Sequence, residues 1–149
     1  MKKLLIVPLV IIFVVIIWLF YPTEERRMKN DINDLKNVVE HKSIAIVSAY
    51  LDIQYGDNND LTRDQLIDAL GRFFAEVDSI NVQMRGLKVW VDSTTADNTI
   101  FGRCSLGLRV LARYEGERVL AFGGIVKPRT VQARLIKTDD MYKVYYAEY

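Results

Sequence analysis

The sequence predicts an α+β protein, in which an N-terminal transmembrane helix is followed by three helices packed on a curved antiparallel sheet. Three observations support this prediction. Residues 4–21 form an uncharged apolar run, and apolar residues then recur at helical spacing as far as Val77. From Ile80 onward they recur at every second position, as in strands. We therefore expect a signal anchor at 1–22 and one domain at 23–149.

The anchor segment, 4–21, reads LLIVPLVIIFVVIIWLFY. As a helix it spans about 27 Å, close to the hydrocarbon thickness of a bilayer. Trp18 and Tyr21 lie near its far end, where aromatic rings favour the membrane interface. Lys2 and Lys3 also suit a cleaved signal peptide, but no small-residue cleavage site follows the run. We expect the anchor to be uncleaved.

The orientation of the anchor is predicted mainly by its short N-terminal tail. Lys2 and Lys3 on one side are matched by three basic residues soon after the run, so the positive-inside rule gives little preference for either orientation. A short tail ahead of a signal-like segment usually stays in the cytoplasm. The prediction is a single-pass inner-membrane protein with a cytoplasmic N-terminus and a periplasmic domain.

The charge and cysteine content of the domain exclude several classes of function. All 19 acidic residues and 18 of the 20 basic residues follow residue 22, which leaves the domain close to neutral. Nucleic-acid binding usually needs a strongly positive surface, so we expect no nucleic-acid partner. The single cysteine, Cys104, excludes an intramolecular disulfide and is expected to be a buried core thiol.

Three helices are predicted ahead of the sheet. The first carries an apolar stripe at Met28, Ile32, Leu35 and Val39. The second is short, at 44–52, and the polar run 56–60 is expected to be a turn. Thr62 and Gln65 form the capping box of the third helix, which presents a broad apolar face as far as Val77.

The remaining chain alternates apolar and polar residues, as expected for a half-buried sheet. At Gly86 the apolar positions change parity, which predicts a β-bulge that bends the first strand. A turn at 114–117 separates two later strands. The predicted strands are 80–92, 103–114, 118–126, 130–137 and 141–149.

This pattern resembles the nuclear transport factor 2-like superfamily over about residues 30–149. The segments that carry the resemblance are AYLD at 49–52, LTR at 61–63, the helix to Val77, the strand 80–92 and YKVYYAEY at 142–149. The resemblance implies a cystatin-like cone, as in SnoaL-like and ketosteroid-isomerase-like proteins, and is greatest to small bacterial members with an N-terminal anchor. The superfamily contains isomerases, dehydratases and hydrolases as well as non-catalytic modules, so fold alone does not choose a function.

Candidate ligand-pocket residues are Tyr50, Asp52 and Tyr55, on or just after the second helix. An acid–base enzyme of this fold would need a carboxylate or histidine in an apolar pocket. Asp52 is equally suited to solvating a helix end, and we assign no catalytic residue. His41, the single histidine, is expected to be a solvated helix cap. The acidic run at 57–60 departs from the calcium-loop spacing, so we expect no metal and no cofactor.

Arg103, Arg109 and Arg113 alternate along the polar face of one predicted strand. Arginine is suited to protein interfaces, so these residues are candidates for a protein partner or homodimer contact through the sheet face. Simple solvation is the alternative for the same residues.

The sequence favours a membrane-tethered, non-catalytic module that binds a partner protein or a small apolar ligand in its cone. Tethering at residues 4–21 would raise the effective concentration of other membrane components. The alternative is an enzyme of isomerase, dehydratase or hydrolase type that acts on a small hydrophobic substrate in the same cavity.

Overall fold

The first helix, α1 (Ile6–Phe20), contains apolar residues throughout. The structure is a computed structural model that describes residues 6–149. Lys2, Lys3, Leu4 and Leu5 of the predicted anchor lie outside the described residues, as does the side chain of Trp18. The α1 side chains at 10–17 and at Leu19 are each 44–64% exposed.

Of the helices within residues 6–149, none combines the length and the apolar character that a bilayer crossing requires.

The three predicted domain helices are present. They are α2 (Glu24–Glu40), α3 (Ile44–Ala49) and α4 (Arg63–Glu76). The Thr23 hydroxyl accepts a hydrogen bond from the Arg26 N–H at 3.3 Å and so caps the start of α2, which three residues separate from α1. The capping box of α4 is confirmed, because the Thr62 N–H donates to Gln65 Oε1 at 2.9 Å and the Gln65 N–H donates back to Thr62 Oγ1.

The six strands form one sheet. They are β1 (Leu51–Asp57), β2 (Ser79–Thr94), β3 (Ile100–Tyr114), β4 (Glu117–Phe122), β5 (Arg129–Thr138) and β6 (Met141–Glu148). Their order is β1-β6-β5-β3-β2, and β4 also pairs with β3. The α+β class is confirmed, with helices α2, α3 and α4 packed against this sheet.

The prediction of a wholly antiparallel sheet was wrong, because β1 pairs parallel with β6. The sequence pattern assigned 51–52 to a helix and 56–57 to a turn. In the structure both segments belong to β1. The Tyr50 carbonyl accepts from the Val144 N–H at 2.8 Å, and the Asn58 N–H donates to the Ala147 carbonyl at 3.1 Å. These bonds join segments about ninety residues apart, so local periodicity does not reveal them.

Two features bend the sheet around β3. Gly86 has a φ of +62°, and the β2–β3 register shifts between Arg85 and Lys88, which confirms the predicted bulge. On its other side, β3 pairs with β5 as far as Leu108 and with β4 from Val110 onward. The two partner strands therefore diverge from β3 at 108–110, at a point we call the fork.

Polar contacts fasten α2 to the end of the sheet. Glu24 Oε2 lies 3.0 Å from Lys137 Nζ and accepts from the Tyr142 hydroxyl at 2.9 Å. Asp31 Oδ2 accepts from the Tyr142 backbone N–H at 2.8 Å. Burial acts to raise the pKa of Glu24, but the bonds from Lys137 and Tyr142 hold that pKa below its ordinary value. Tyr142 is 1% exposed, so these bonds satisfy the polar atoms of a residue that lies in the core.

The contact of Gly102 with α2 gives a test of the packing. A Cβ at residue 102 would overlap Met28 Cε and lie 2.9 Å from the Trp90 carbonyl oxygen, and Met28 is fully buried. We expect Gly102→Ala to lower the free energy of unfolding by about 1–3 kcal/mol through overpacking. Denaturant unfolding of the full chain, followed by near-ultraviolet circular dichroism, measures this change.

The matched control is Gly71→Ala in α4, where a Cβ meets nothing within 4 Å. Because alanine is a better helix former than glycine, this variant should gain about 0.5–1 kcal/mol. Equal effects of the two substitutions would contradict the packing described here.

Candidate ligand-binding site

A cavity of about 250 Å³ lies between α2 and the inner face of the sheet. Its walls come from α2, from Leu51 and Tyr55 of β1, and from inward-facing residues of strands β2, β3, β5 and β6. Of the residues that line it, all within 6–149, three carry polar side-chain atoms: Lys36, Tyr55 and Cys104. The others are aliphatic side chains and Met84.

A second cavity of about 370 Å³ adjoins the first on the side of α4. It is bordered by the apolar face of α4, by the end of β4 and by the C-terminal residue Tyr149. Among its described lining residues, Tyr55 and Tyr149 alone carry polar side-chain atoms. The residues that border both cavities are Val39, Tyr55, Leu108, Val110 and Val131.

The fork in the sheet positions these two cavities. Leu108 and Val110 lie on β3 at the point where its partner changes from β5 to β4, and Val131 pairs with Leu106 just before that point. Because β4 and β5 separate here, the inner face of the sheet opens instead of closing on itself. Amphipathic α2 and α4 cover the opening with their apolar faces, which supply Val39, Leu66, Leu70 and Phe74.

A buried carboxylate stands behind Tyr55 at the end of β1. Asp57 is 5% exposed, and its Oδ2 accepts from the Tyr149 hydroxyl at 2.7 Å and from the Tyr55 hydroxyl at 3.4 Å. Its Oδ1 accepts from the backbone N–H groups of Asn59 at 2.8 Å and Leu61 at 3.0 Å. Four donors thus converge on one carboxylate, which compensates its burial.

The electrostatics of this group follow from those contacts. Burial acts to raise the pKa of Asp57, but the hydrogen bonds from Tyr149, Leu61, Asn59 and Tyr55 hold that pKa below its ordinary value. Burial and the adjacent Asp57 carboxylate strongly raise the pKa of Tyr55. At neutral pH the group is therefore an ionised aspartate that holds two protonated tyrosines.

The three predicted pocket residues have different positions. Tyr55 borders both cavities, whereas Tyr50 and Asp52 line neither. Tyr50 ends α3 with a half-buried side chain, and burial raises its pKa. The Asp52 Oδ1 atom accepts from the Gln54 N–H at 2.9 Å on the partly exposed side of β1.

The prediction missed Asp57 and Tyr149, which lie 92 residues apart. Asp57 belongs to a polar run that suggests a turn, and Tyr149 is one of several tyrosines near the end of the chain. The sequence carries no local signal for the pair, because Asp57 is buried with Leu51 and Tyr55 only once β1 pairs with β6.

Cys104 and Lys36 complete the polar groups of the first cavity. The buried position of Cys104 is confirmed, and burial raises the pKa of its thiol to about 11, so it is neutral in ordinary conditions. Lys36 forms an ion pair with Glu40 at 2.9 Å, and Glu40 Oε1 also accepts from the Val82 N–H at 2.8 Å. The ammonium group is thus neutralised by its own helix.

His41 and the acidic run have structural partners. His41 is exposed at the end of α2, where its Nδ1 donates to the Asn37 carbonyl at 2.7 Å, as a helix cap does. Asp57 accepts from backbone N–H groups of its own turn, as described above. Within residues 6–149, no cluster of three or more histidine, cysteine, aspartate or glutamate side chains is placed to hold a metal ion.

The three predicted interface arginines lie on the outer side of the sheet in unequal surroundings. Arg103 is exposed, lies 3.1 Å from Asp92 Oδ1 and stacks over the Trp90 ring at 5.3 Å. Arg109 is half-buried, and Arg113 is exposed. Binding of a protein partner or second copy through this face stays a prediction.

Sequence comparisons find no relative: no family model matches the chain, and no curated protein does. Solved structures with a similar fold do exist. A putative scytalone dehydratase from Novosphingobium aromaticivorans has a TM-score of 0.67 at 13% identity, over 84% of this chain and 81% of that chain. A putative dehydratase of the NTF2-like family from Streptomyces avermitilis has a TM-score of 0.60 at 12% identity, over 84% of this chain and 93% of that chain.

The same fold also occurs as part of a longer protein. The helical cell shape determining protein Pgp2 (K307A mutant) from Campylobacter jejuni has a TM-score of 0.62 at 8% identity, over 78% of this chain but 37% of that chain. At such identities the likeness concerns the fold alone. The domain described here therefore has the α+β fold of the nuclear transport factor 2-like proteins.

Proposed function

We propose that this domain is a non-catalytic module that binds a small apolar ligand in its two adjoining cavities. The observation that carries the proposal is the almost wholly aliphatic and aromatic lining of both cavities. The larger volume, about 370 Å³, lies within the range of about 300–1,000 Å³ for small-molecule sites, and the smaller, about 250 Å³, lies just below it.

The lining also sets the chemistry of the ligand. A charged ligand would lose its hydration on entry, and Lys36, the one charged side chain among the described lining residues, is already paired with Glu40. An apolar ligand gains the hydrophobic free energy of leaving water and requires few polar partners. The site therefore favours an uncharged, mainly hydrocarbon ligand.

An enzyme acting on a small hydrophobic substrate is the alternative, and the dehydratase names of two similar structures suggest it. Asp57 would be its acid–base group. However, Asp57 does not line either cavity, four hydrogen bonds occupy its oxygens, and its pKa is held low. A general base near neutral pH requires a freer carboxylate with a raised pKa. These features favour binding over catalysis.

We also infer that residues 4–21 tether the domain to the inner membrane, with the N-terminus in the cytoplasm and the domain in the periplasm. The tether rests on the 18 uncharged residues of this run, which extend beyond the 15-residue helix α1, and on the exposed apolar side chains at 10–17 and at Leu19. Such a tether places the cavities beside a bilayer, which is a reservoir of apolar molecules.

The ligand proposal predicts that filling the first cavity weakens binding. Ala133 is 8% exposed and lines this cavity, so Ala133→Leu should place its new side chain in the space of the ligand. We expect the Kd for the uncharged dye N-phenyl-1-naphthylamine to rise by about tenfold or more. Fluorescence titration of the full chain in lipid nanodiscs measures it.

Gln132→Leu is the matched control, because Gln132 is the preceding residue of β5 and is exposed. It adds a similar apolar side chain outside the cavities, and empty nanodiscs report dye uptake by the lipid. If Ala133→Leu and Gln132→Leu bind the dye equally well, the proposed site is wrong.

The structural role of Asp57 predicts a specific pH dependence. Because its folded pKa is lowered, the carboxylate contributes stability above its ordinary pKa of 3.8, and this stability is lost as the pH falls through the folded pKa. We expect Asp57→Asn to cost about 1–3 kcal/mol at pH 7. Its deficit relative to the unsubstituted protein should shrink below about pH 4.

Denaturant unfolding at pH 7, 5, 4 and 3 tests this dependence. Asp68→Asn, at an exposed position of α4, is the control and should leave the stability curve unchanged within about 0.5 kcal/mol. A deficit of Asp57→Asn that stays constant down to pH 3 would show that the ionised carboxylate is not what stabilises this turn.

The orientation proposal predicts the behaviour of C-terminal reporter fusions. Alkaline phosphatase fused after Tyr149 should be active, because it folds in the periplasm, and a green fluorescent protein fused there should be dark. Deletion of 1–22 should reverse both signals. An inactive phosphatase with a fluorescent partner fusion would place the domain in the cytoplasm instead.

A further inference from the structure

The polar groups that face the two cavities are unevenly distributed. Five residues border both cavities, and Tyr55 is the one among these described residues with a polar side-chain atom. Its side chain is 6% exposed and lies at the junction of the cavities. A ligand that extends from one cavity into the other would therefore pass Tyr55.

The hydroxyl protons of Tyr55 and Tyr149 already take part in hydrogen bonds. A phenol has one O–H donor, and the hydroxyls of Tyr55 and Tyr149 lie 3.4 and 2.7 Å from Asp57 Oδ2; because an ionised carboxylate only accepts, both hydroxyls donate to it. A bond to an ionised carboxylate is stronger than a bond to a neutral carbonyl, so a ketone or aldehyde would not compete for these protons. Asp57 is the one hydrogen-bond partner of the Tyr55 hydroxyl among the described residues. The Tyr55 oxygen can therefore still accept a hydrogen bond.

The second tyrosine has a supporting part. Its hydroxyl makes the shorter bond to Asp57, at 2.7 Å against 3.4 Å for the Tyr55 hydroxyl. Tyr149 thus helps to hold the carboxylate in place, while Tyr55 is the tyrosine that borders both cavities. The Tyr55 hydroxyl donates to Asp57, a group that lines neither cavity.

We propose that the cavities select apolar ligands that carry a hydroxyl or another uncharged hydrogen-bond donor, which the Tyr55 oxygen accepts. This inference rests on the proposed function, because it names the class of ligand for the same cavities. Asp57 is a positioning residue, since it orients the Tyr55 proton away from the ligand. Anionic ligands are disfavoured, because they would lie near the Asp57 carboxylate and meet no free donor there.

The experiment compares three eight-carbon ligands, 1-octanol, 2-octanone and octane, by displacement of N-phenyl-1-naphthylamine from the full chain in nanodiscs. Each is measured on the unsubstituted protein, on Tyr55→Phe and on Tyr145→Phe. Tyr145 lies on β6, packs edge-on against Phe101 and lines neither cavity, so it controls for loss of a tyrosine hydroxyl. The ratio of variant to unsubstituted Kd for one ligand cancels its partition into lipid.

For 1-octanol we expect Tyr55→Phe to raise the Kd by about two- to tenfold, the value of one neutral hydrogen bond. The ratio should stay near one for octane and 2-octanone, and near one for all three ligands in Tyr145→Phe. Equal ratios for the three ligands in Tyr55→Phe would overturn the inference while leaving the proposed function intact. A larger loss for 2-octanone would also overturn it, because Tyr55 would then act as a donor.

The unsubstituted protein provides a second, independent measurement. If none of the three ligands displaces the dye, and the dye itself does not bind, the proposed function fails together with this inference. If all three displace the dye in the unsubstituted protein, the ratios above decide the inference alone. Near-ultraviolet circular dichroism of Tyr55→Phe confirms that the compared proteins are folded.

Discussion

The fork on β3 is the constraint on which the rest of the domain depends. One side of β3 pairs with β2 along almost its whole length, but the other side is shared by β5 and β4. Two strands that leave a common neighbour at 108–110 cannot stay in one plane, so the sheet bends there. The bulge at Gly86 bends β2 close to the same level, opposite Gly107 and Ser105. The concave face that results is too wide for its own side chains to fill.

The helices complete the walls, and polar contacts fix where they lie. Both ends of α2 bond to the sheet, through Glu24 to Tyr142 at one end and through Glu40 to the Val82 N–H at the other. When the helix covers the sheet, strand N–H groups lose their hydrogen bonds to water, and the side-chain carboxylates of α2 replace these bonds. The helix can therefore lie close to the sheet with little loss of free energy. The second half of α2, from Ile32 to Val39, then lines the first cavity.

The cavities have an energetic consequence that supports a binding role. Unfilled apolar space in a protein core costs about 24 cal/mol per Å³, so a cavity of 250 Å³ represents a cost on the order of several kcal/mol. This is a sizeable part of the stability of a small domain. A ligand that fills the space restores the lost contacts and stabilises the folded state by mass action. Under the proposal above, the Tyr55 hydroxyl, which donates to Asp57, would favour ligands that donate a hydrogen bond.

The sequence by itself determined the elements whose signals are local. The helix at Arg63–Glu76 follows from the Thr62–Gln65 capping box, and the bent strand follows from the parity change at Gly86. Burial of Cys104 follows from alternation along β3.

Tertiary structure decided the rest, because β1 becomes a strand only by pairing with β6. The meeting of Tyr55 and Tyr149 at Asp57 depends on that same pairing, which joins residues about ninety positions apart. No local sequence pattern predicts the cavities or the bond from Tyr55 to Asp57. Both depend on how strands that are distant in the sequence pair and separate.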